Sequence, residues 1–314
     1  MVDRKDPEGD RMIPAKVLFL GTARDCGRRI GASIKIAEKI GAMFEDCKFI
    51  LYENDSKDNT RKILKQWAKR RPADVHFRYS TGDEKKVSWV NFQNGKPFRP
   101  EQISHARNII LEKAMSPEFD SYDYVLVMDF DFVLEPDYGA IRACFDREDW
   151  DGVFANGIAP DGRYWDWFAL RDVQFPLGTE TMGDAWYALK RPYHFLTPED
   201  SWYPVYSAFG GFGIYRREAL AGCRYSAVIT PEIGALNASL GARGTALHQG
   251  IGPEPSLCEH VGLHAVMRSF GRHRLFINPA MIFRYGGGPV ERPPLSARLR
   301  HTWNCFCGWV ERSF

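Results

Sequence analysis

Short apolar runs alternate with amphipathic segments along the first 80 residues. Three apolar runs predict buried strands, over 17–21, 48–54 and 75–80. Between them, apolar residues recur at helical spacing over 30–44 and 56–71. The order strand, helix, strand, helix, strand is typical of an α/β layer. We therefore expect an α/β fold with a doubly wound, mostly parallel sheet flanked by helices.

The pattern continues with longer irregular stretches. A helix is predicted over 101–115, and the most apolar strand of the chain over 122–134. A strand over 152–157 precedes an irregular, aromatic region over 158–206. The remaining predicted elements are a strand turning into a helix over 210–220, a long Gly- and Pro-rich loop over 230–256, a helix over 256–271 closed by Gly271, and a strand over 275–286.

Composition and charge narrow the class of protein. Apolar residues make up 44% of the chain and charged residues 26%, which is ordinary for a globular domain. A net charge of +2 does not favour nucleic acid as a partner. The seven cysteines are scattered, the first residues are polar, and no apolar stretch is long enough to span a membrane. These features predict reduced thiols and a cytoplasmic location.

The strongest chemical signal is the pair Asp129 and Asp131, at the end of the most apolar predicted strand. Alternate residues of an extended strand face the same side, so both carboxylates would point together. In α/β sheets, ligands bind at the carboxyl ends of the strands. A divalent cation, Mn²⁺ or Mg²⁺, would offset the cost of burying them and would bind phosphate oxygens as well. An acidic turn that follows a core strand and binds no metal would show the same sequence pattern.

Polar residues also follow the first two predicted strands. Thr22, Ala23 and Arg24 end the first, and Glu53 and Asp55 end the second, where they could bind a base and ribose. Simple turn chemistry explains them equally well. Neither a G-x-G-x-x-G run nor a P-loop is present, so a dinucleotide cofactor and a Walker-type site are not indicated.

Three further groups of residues are candidates. Arg107, on the helix before the Asp129 strand, could reach a diphosphate, or form a surface ion pair. Glu259 begins a predicted helix and is a candidate general base. His260 and His264 lie one turn apart and could bind metal, although helix-dipole stabilisation and packing explain this cluster equally well.

An aromatic segment supplies candidates for sugar binding. Trp165 and Trp167 alternate with Asp166, so the rings could stack on a sugar while the carboxylate binds hydroxyls. A buried aromatic loop would show the same sequence. The basic, aromatic tail after residue 288 is compatible with peripheral membrane contact.

Taken in order, these segments resemble glycosyltransferases of the GT-A type, across roughly residues 15–287. They are most similar to the fungal capsule-type α-1,3-mannosyltransferase family. The segments that carry the resemblance are YENDSKD (52–58), ARN (106–108), VMDFDF (127–132), WFALRD (167–172), PVYSAFGG (204–211), CEH (258–260) and INPAMIFRYG (277–286).

The resemblance implies a nucleoside-diphosphate sugar donor, a divalent metal at Asp129 and Asp131, and Arg107 near the diphosphate. It suggests mannose as the sugar and a glycan or glycolipid hydroxyl as the acceptor. Arg284 is a second candidate phosphate ligand, and His260 or His264 could complete the metal shell. Glu259 and Asp131 are the expected catalytic residues.

We therefore expect one glycosyltransferase domain over 15–287, with a nucleotide-sugar half at 15–150 and an acceptor half at 151–287. Residues 1–14 are predicted to form a flexible tail, and residues 288–314 a C-terminal tail. Two alternatives stay open. A sugar-phosphate nucleotidylyltransferase uses a similar layer but normally shows a Gly-rich basic loop after the first strand, of which GTARDCG is a poor match. A non-catalytic carbohydrate-binding protein would not need the two aspartates.

Overall fold

An eight-stranded mixed sheet forms the centre of the protein. The computed structural model describes residues 12–80, 82, 87, 90, 92–93, 96–131, 136–159, 163–173, 176, 178, 196–241 and 257–284. The strands are β1 (Ile13–Ala23), β2 (Phe44–Glu53), β3 (Val75–Tyr79), β4 (Phe92–Gln93), β5 (Lys96–Pro97), β6 (Tyr124–Asp129), β7 (Gly152–Ile158), β8 (Tyr203–Pro204), β9 (Phe212–Arg216) and β10 (Leu275–Arg284). Strands β4 and β5 form a separate two-stranded ribbon.

The order of strands in the large sheet is β3-β2-β1-β6-β9-β7-β10-β8. The first four run parallel, and β7 and β10 run parallel to each other. Strand β9 is antiparallel to both of its neighbours, β6 and β7. As a result, β1, β2, β3, β6, β7 and β10 all point the same way, and their last residues lie along one edge. We call this the carboxyl edge.

Helices cover both faces of the sheet. They are α1 (Ile30–Gly41), α2 (Thr60–Arg70), α3 (Arg99–Ala114), α4 (Tyr138–Ala143), α5 (Pro231–Gly241) and α6 (Glu259–Ser269). Helices α1 and α2 contribute to one apolar cluster, and α3 and α6 to the other. Alternation along β1 explains the two clusters, because Leu18 and Leu20 face one and Val17 and Phe19 face the other. The α/β class and the mostly parallel, helix-flanked sheet are confirmed.

Some predicted boundaries and elements are wrong. Strand β1 begins at Ile13, within the expected tail, and β6 ends at Asp129 rather than at residue 134. The segment 217–220 is a 3₁₀ helix rather than an α-helix. Residues 231–241, expected in a long loop, form α5. The predicted C-terminal tail lies outside the described residues.

Helix α6 ends as its sequence predicts. It runs from Glu259 to Ser269, and Gly271 follows in the left-handed region with φ +78°. Among the described residues, no helix is both long and apolar enough to cross a membrane.

Candidate functional site

Asp129 and Asp131 lie at the carboxyl edge of the sheet. Asp129 is the last residue of β6, and its Cα is paired with that of Thr22 on β1. The strand stops there, so Phe130 and Asp131 belong to a turn. Phe130, the residue between the two aspartates, has a buried ring. The Asp129 side chain keeps 30% of its exposure, and Asp131 is half-buried. Both carboxylates are thus accessible from the edge.

Arg107 forms hydrogen bonds with both Asp129 and Glu259. Its Nη2 donates to Asp129 Oδ1 at 2.9 Å, and its Nε donates to Glu259 Oε1 at 3.1 Å. The side chain is only 4% exposed, and the rings of Phe209 and Tyr225 lie 4.9 and 5.7 Å from its guanidinium carbon. Burial opposes its charge, but the two carboxylates keep its pKa above the ordinary value. In this structure Arg107 is paired with two carboxylates, and its contact with a diphosphate stays a prediction.

Glu259 begins α6 and is buried. One of its oxygens accepts the Arg107 bond, and the other accepts a long bond from Cys258 Sγ at 3.7 Å. A carboxylate held in this way acts as a counter-charge for Arg107. Its role as a general base stays a prediction.

The two histidines of α6 are core residues in this arrangement. His264 is fully buried, with its ring nitrogens 2.9 Å from Tyr215 Oη and 2.9 Å from Ser207 Oγ. His260 is stacked on Phe209, with ring centroids 3.9 Å apart. Burial lowers the pKa of both imidazoles, that of His264 to about 3.

Neither histidine lies in a recognisable metal site of the described residues. No group of three or more His, Cys, Asp or Glu residues in the described part of the chain could hold a metal ion. His264 uses both nitrogens for hydrogen bonds. The expectation that His260 or His264 joins Asp129 and Asp131 at a metal stays a prediction, and the two hydrogen bonds of His264 do not favour it.

Hydrogen bonds to two consecutive glycines connect Asp166 and Asp129 at the same edge. Its Oδ2 accepts from Gly210 N–H at 2.9 Å, and Asp129 N–H donates to Gly211 O at 3.1 Å. Gly210 has φ +64°, and a Cβ there would lie 2.3 Å from Ala155 O. Only glycine fits this turn, which links the aromatic segment to the end of β6.

The predicted aromatic platform is only partly available. Trp167 is 7% exposed and packs edge-on against Tyr164 in the core, so burial does not favour its expected stacking on a sugar, which stays a prediction. Trp165 is half-buried and lies over Gly157, where a Cβ would be 2.4 Å from the indole nitrogen. Trp165 and Asp166 remain candidate acceptor residues.

The loops after β1 and β2 are joined by side-chain bonds. Asp25 N–H donates to Ser56 Oγ at 3.0 Å, and Lys57 N–H donates to Asp25 Oδ1 at 2.7 Å. Asp25 and Asp55 both adopt φ +48°, which is uncommon for residues other than glycine. The loops therefore form a braced wall at the carboxyl edge.

Glu53 and Asp55 take part in this bracing. Buried Glu53 accepts from Arg61 and from Ser56 N–H, and Asp55 accepts from Ser80 Oγ at 3.1 Å. The bonds to Glu53 occupy both of its oxygens, so its described role is structural. Its contact with a nucleotide, like that of Asp55, stays a prediction.

The remaining predicted donor residues also lie at this edge. Thr22 and Ala23 end β1, and Arg284 ends β10. Exposed Arg24 donates to Gln102 Oε1 on α3 at 3.0 Å. The topology thus gathers the ends of β1, β2, β6 and β10 along one edge, as expected for a ligand site.

The site carries an excess of negative charge. Burial raises the pKa of Asp129 to about 7; Arg107 opposes this, while Asp131, Glu259 and Asp166 add to it. Burial likewise raises the pKa of Asp166 to about 6. Among the described residues, Asp131 and Asp166 form no ion pair with a cationic side chain. Mg²⁺ and Mn²⁺ commonly use one or two carboxylates plus phosphate oxygens and water, so the pair Asp129 and Asp131 would suffice for such an ion together with a diphosphate.

Several contributing residues were missed by sequence reasoning. Phe209 and Tyr225 enclose Arg107, and Gly210 and Gly211 connect Asp166 to Asp129. The double glycine before a predicted strand was a usable signal, because glycines beside a strand often mark close backbone approach. The aromatic partners gave no local signal.

Comparison with known proteins gives structural similarity only. No family model and no curated protein matches the sequence. The mannosyltransferase PcManGT from Pyrobaculum calidifontis, solved with GDP-Man and Mn²⁺, is 12% identical over 95% of this chain and 65% of its own, with a TM-score of 0.43. TarS 1–349 from S. aureus, solved with UDP, is 11% identical over 87% and 61%, with a TM-score of 0.45.

Glucosyl-3-phosphoglycerate synthase from Mycobacterium tuberculosis, solved with Mn²⁺, UDP and glucosyl-3-phosphoglycerate, is 13% identical over 95% of this chain and 80% of its own, with a TM-score of 0.39. This chain spans less than two thirds of the length of PcManGT and of TarS 1–349. At these identities and TM-scores, the similarity does not bear on function. The geometry of the site therefore carries the evidence for function.

Proposed function

We propose that this protein is a metal-dependent glycosyltransferase, which transfers a sugar from a nucleoside-diphosphate sugar to a hydroxyl of a glycan or glycolipid acceptor. The observation that carries the proposal is the position of Asp129 and Asp131. They lie at the carboxyl edge of a parallel sheet, in a cluster with more carboxylates than cations. This arrangement favours a divalent cation together with a diphosphate.

In the proposed reaction, Asp129 and Asp131 hold Mn²⁺ or Mg²⁺. The bound ion would neutralise charge on the departing diphosphate. Arg107 fixes Asp129 through Oδ1 and Glu259 fixes Arg107, so Asp129 would be held in place to bind the ion. Arg107 and Glu259 thus position Asp129.

The other edge residues provide binding contacts. The end of β1, with Thr22 and Ala23, and the braced loops that carry Arg24 and Asp55 are proposed to form the wall for the base and ribose. At the end of β10, Arg284 lies at the same edge and is proposed to bind phosphate.

Acceptor binding is assigned to Asp166 and Trp165. The Asp166 carboxylate is held by Gly210 N–H and has no ion-pair partner among the described residues, so it can accept a hydrogen bond from a sugar hydroxyl. Trp165 offers a half-buried ring beside it. Mannose from GDP-mannose is the donor we test first, because the sequence resemblance suggests it.

The test is nucleotide-dependent thermal stabilisation. We expect Mn²⁺ with GDP, UDP or one of their sugars to raise the melting temperature of the wild type, by a few degrees at about 100 times the dissociation constant. Asp131→Ala should lose this shift. Asp146→Ala, at an exposed aspartate of a 3₁₀ helix, is the matched control and should keep it.

The outcome also names the donor base. A shift with one nucleotide only, lost in Asp131→Ala, supports the donor site and identifies guanine or uracil. If no nucleotide shifts the wild type while glycans do, the protein is a carbohydrate-binding protein and the proposal is wrong.

A further inference from the structure

A basic groove runs along helix α2, outside the site described above. It encloses about 490 Å³ and is lined by the basic residues Arg61, Lys62, Lys65 and Lys69. Lysines 62, 65 and 69 are separated by three and four residues, so they share one face of the helix. Leu64 and Trp67, both fully buried, lie on the opposite face. The groove is therefore a consequence of the amphipathic pattern of α2.

The lysine charges in the groove are not neutralised locally. Arg61 is paired with Glu53 and lies 3.7 Å from Asp55, so its charge is compensated. In contrast, Lys62, Lys65 and Lys69 are exposed, and none forms an ion pair with a carboxylate in the described part of the chain. These lysines leave the groove with a net positive charge.

Asp58 is the one carboxylate among the residues that line the groove, and it offsets only one of the three lysine charges. The carboxylate of Asp58, at the end of the groove, accepts from Gly27 N–H at 2.8 Å and from Thr60 N–H at 2.9 Å. The Lys65 ammonium lies 4.1 Å from the centroid of the Tyr79 ring. A cation–π contact orients an ammonium without neutralising it. Lys65 therefore remains available to an anion.

One end of the groove opens at the carboxyl edge. Its lining includes Ser56, whose Oγ accepts from Asp25 N–H in the braced loops. These loops follow β1 and β2, and β1 is the direct neighbour of β6, the strand that ends at Asp129. A chain-like ligand that extends from the edge along α2 would contact the lysines in succession.

We propose that this groove binds an anionic, carboxylate-bearing stretch of a glycan chain. That the chain is the acceptor rests on the proposed function, whereas the binding itself does not. Charge complementarity favours an anion, and an end that opens at the carboxyl edge favours an extended, chain-like ligand. A membrane surface fits less well, because no exposed large aliphatic side chain lies on α2 among the described residues that could enter a bilayer.

The experiment measures binding of oligogalacturonates of increasing length, with neutral dextran oligomers as the uncharged comparison. The wild type should bind the longer oligogalacturonates and not dextran. The variant Lys62→Gln/Lys65→Gln/Lys69→Gln should bind about tenfold more weakly, because three exposed charge contacts of about 0.5 kcal/mol each are lost. Circular dichroism and the melting temperature establish that the variant is folded.

A matched variant removes the same charge elsewhere. Lys35→Gln/Arg99→Gln/Arg224→Gln changes three exposed basic residues that do not line the groove, and it should bind like the wild type. Equal binding by both triple variants would overturn the proposal. So would a wild type that binds phosphatidylserine vesicles but not oligogalacturonate, or neither.

The result is separable from the test of the donor site. Asp131→Ala should bind oligogalacturonate like the wild type, since Asp131 does not line the groove. If nucleotides fail to stabilise the protein but the groove variant still loses oligogalacturonate binding, the groove assignment stands and the transferase proposal fails. If nucleotides stabilise the protein but the groove variant binds oligogalacturonate like the wild type, the donor-site proposal stands and the groove assignment fails.

Discussion

At the residue scale, Arg107 joins two segments that are far apart in sequence. Its guanidinium bridges Asp129, at the end of β6, and Glu259, 152 residues further along from Arg107 itself. A buried charge held by two partners is costly to disrupt, because each remaining carboxylate loses its counter-charge. The position of Asp129 therefore depends on α3 and α6 together.

Removing Arg107 should destabilise the protein strongly. We expect Arg107→Met to lower the free energy of unfolding by about 3–5 kcal/mol, because Asp129 and Glu259 would face each other without a cation. Arg107→Lys should lose less, since it keeps the charge but not the two-pronged geometry. Urea denaturation measures both. The control is Lys113→Met, which removes the cation of an exposed ion pair with Glu118 and should have a much smaller effect. If Arg107→Met and Lys113→Met lose equal stability, the ion pairs of Arg107 are not buried ones.

His264 should impose a pH dependence on stability. Burial lowers its folded pKa to about 3, against about 6.5 in an unfolded chain. Between these values the unfolded chain binds a proton that the folded protein does not, so this contribution to stability is complete above pH 6.5 and declines as the pH falls.

The measurement compares His264→Gln with the wild type from pH 7 to pH 4. The difference in unfolding free energy should shrink toward low pH, by at most about 1.4 kcal/mol per pH unit. Contributions from Asp129 and Asp166 largely cancel because both proteins contain them. The control for losing a histidine as such is His273→Gln, at an exposed position. A difference that does not vary with pH would mean that folding does not change the pKa of His264.

At the scale of elements, two turns require glycine for different structural reasons. Gly271 follows α6 with φ +78°, and a Cβ added there would have no atom within 4 Å, so only the backbone conformation requires glycine. Gly210 has φ +64° and also lies against the backbone of Ala155. The second position combines conformational strain with a steric clash.

Alanine at these two glycines should therefore have unequal effects. Gly271→Ala should cost about 1 kcal/mol of stability, the usual penalty for a left-handed alanine. Gly210→Ala should cost clearly more, and it should weaken metal and nucleotide binding by displacing Asp166 and Gly211 near Asp129. Thermal unfolding with and without Mn²⁺ and nucleotide measures both effects. Similar losses at both positions would show that the turn at Gly210 adapts.

Sequence patterns predicted the elements better than their contacts. Strands β1, β2 and β6 are buried on both faces, so their apolar runs are easily recognised. Helix α5 was missed because Pro, Gly and Ala are frequent in its sequence and its apolar residues show little periodicity. The pairing of Arg107 with Glu259 was not predictable from local pattern, because it depends on how α3 and α6 pack.

At the scale of the whole molecule, the large sheet contributes residues to both apolar clusters. Successive residues of β6 contribute to opposite sides, with Val125 and Val127 in one cluster and Leu126 and Met128 in the other. Asp129 continues this strand at the sheet's edge. The position of Asp129, a proposed metal ligand, thus depends on both clusters.

The antiparallel strand β9 has a consequence for synthesis on the ribosome. It lies between β6 and β7, and the only sheet neighbours of β7 among the described strands, β9 and β10, are both made later. Roughly 50 residues separate β7 from β9, a delay of several seconds at cellular translation rates. During that interval a strand that is buried throughout in the folded protein emerges without either of its partners. The nascent chain is then a natural client for chaperones that shield hydrophobic segments.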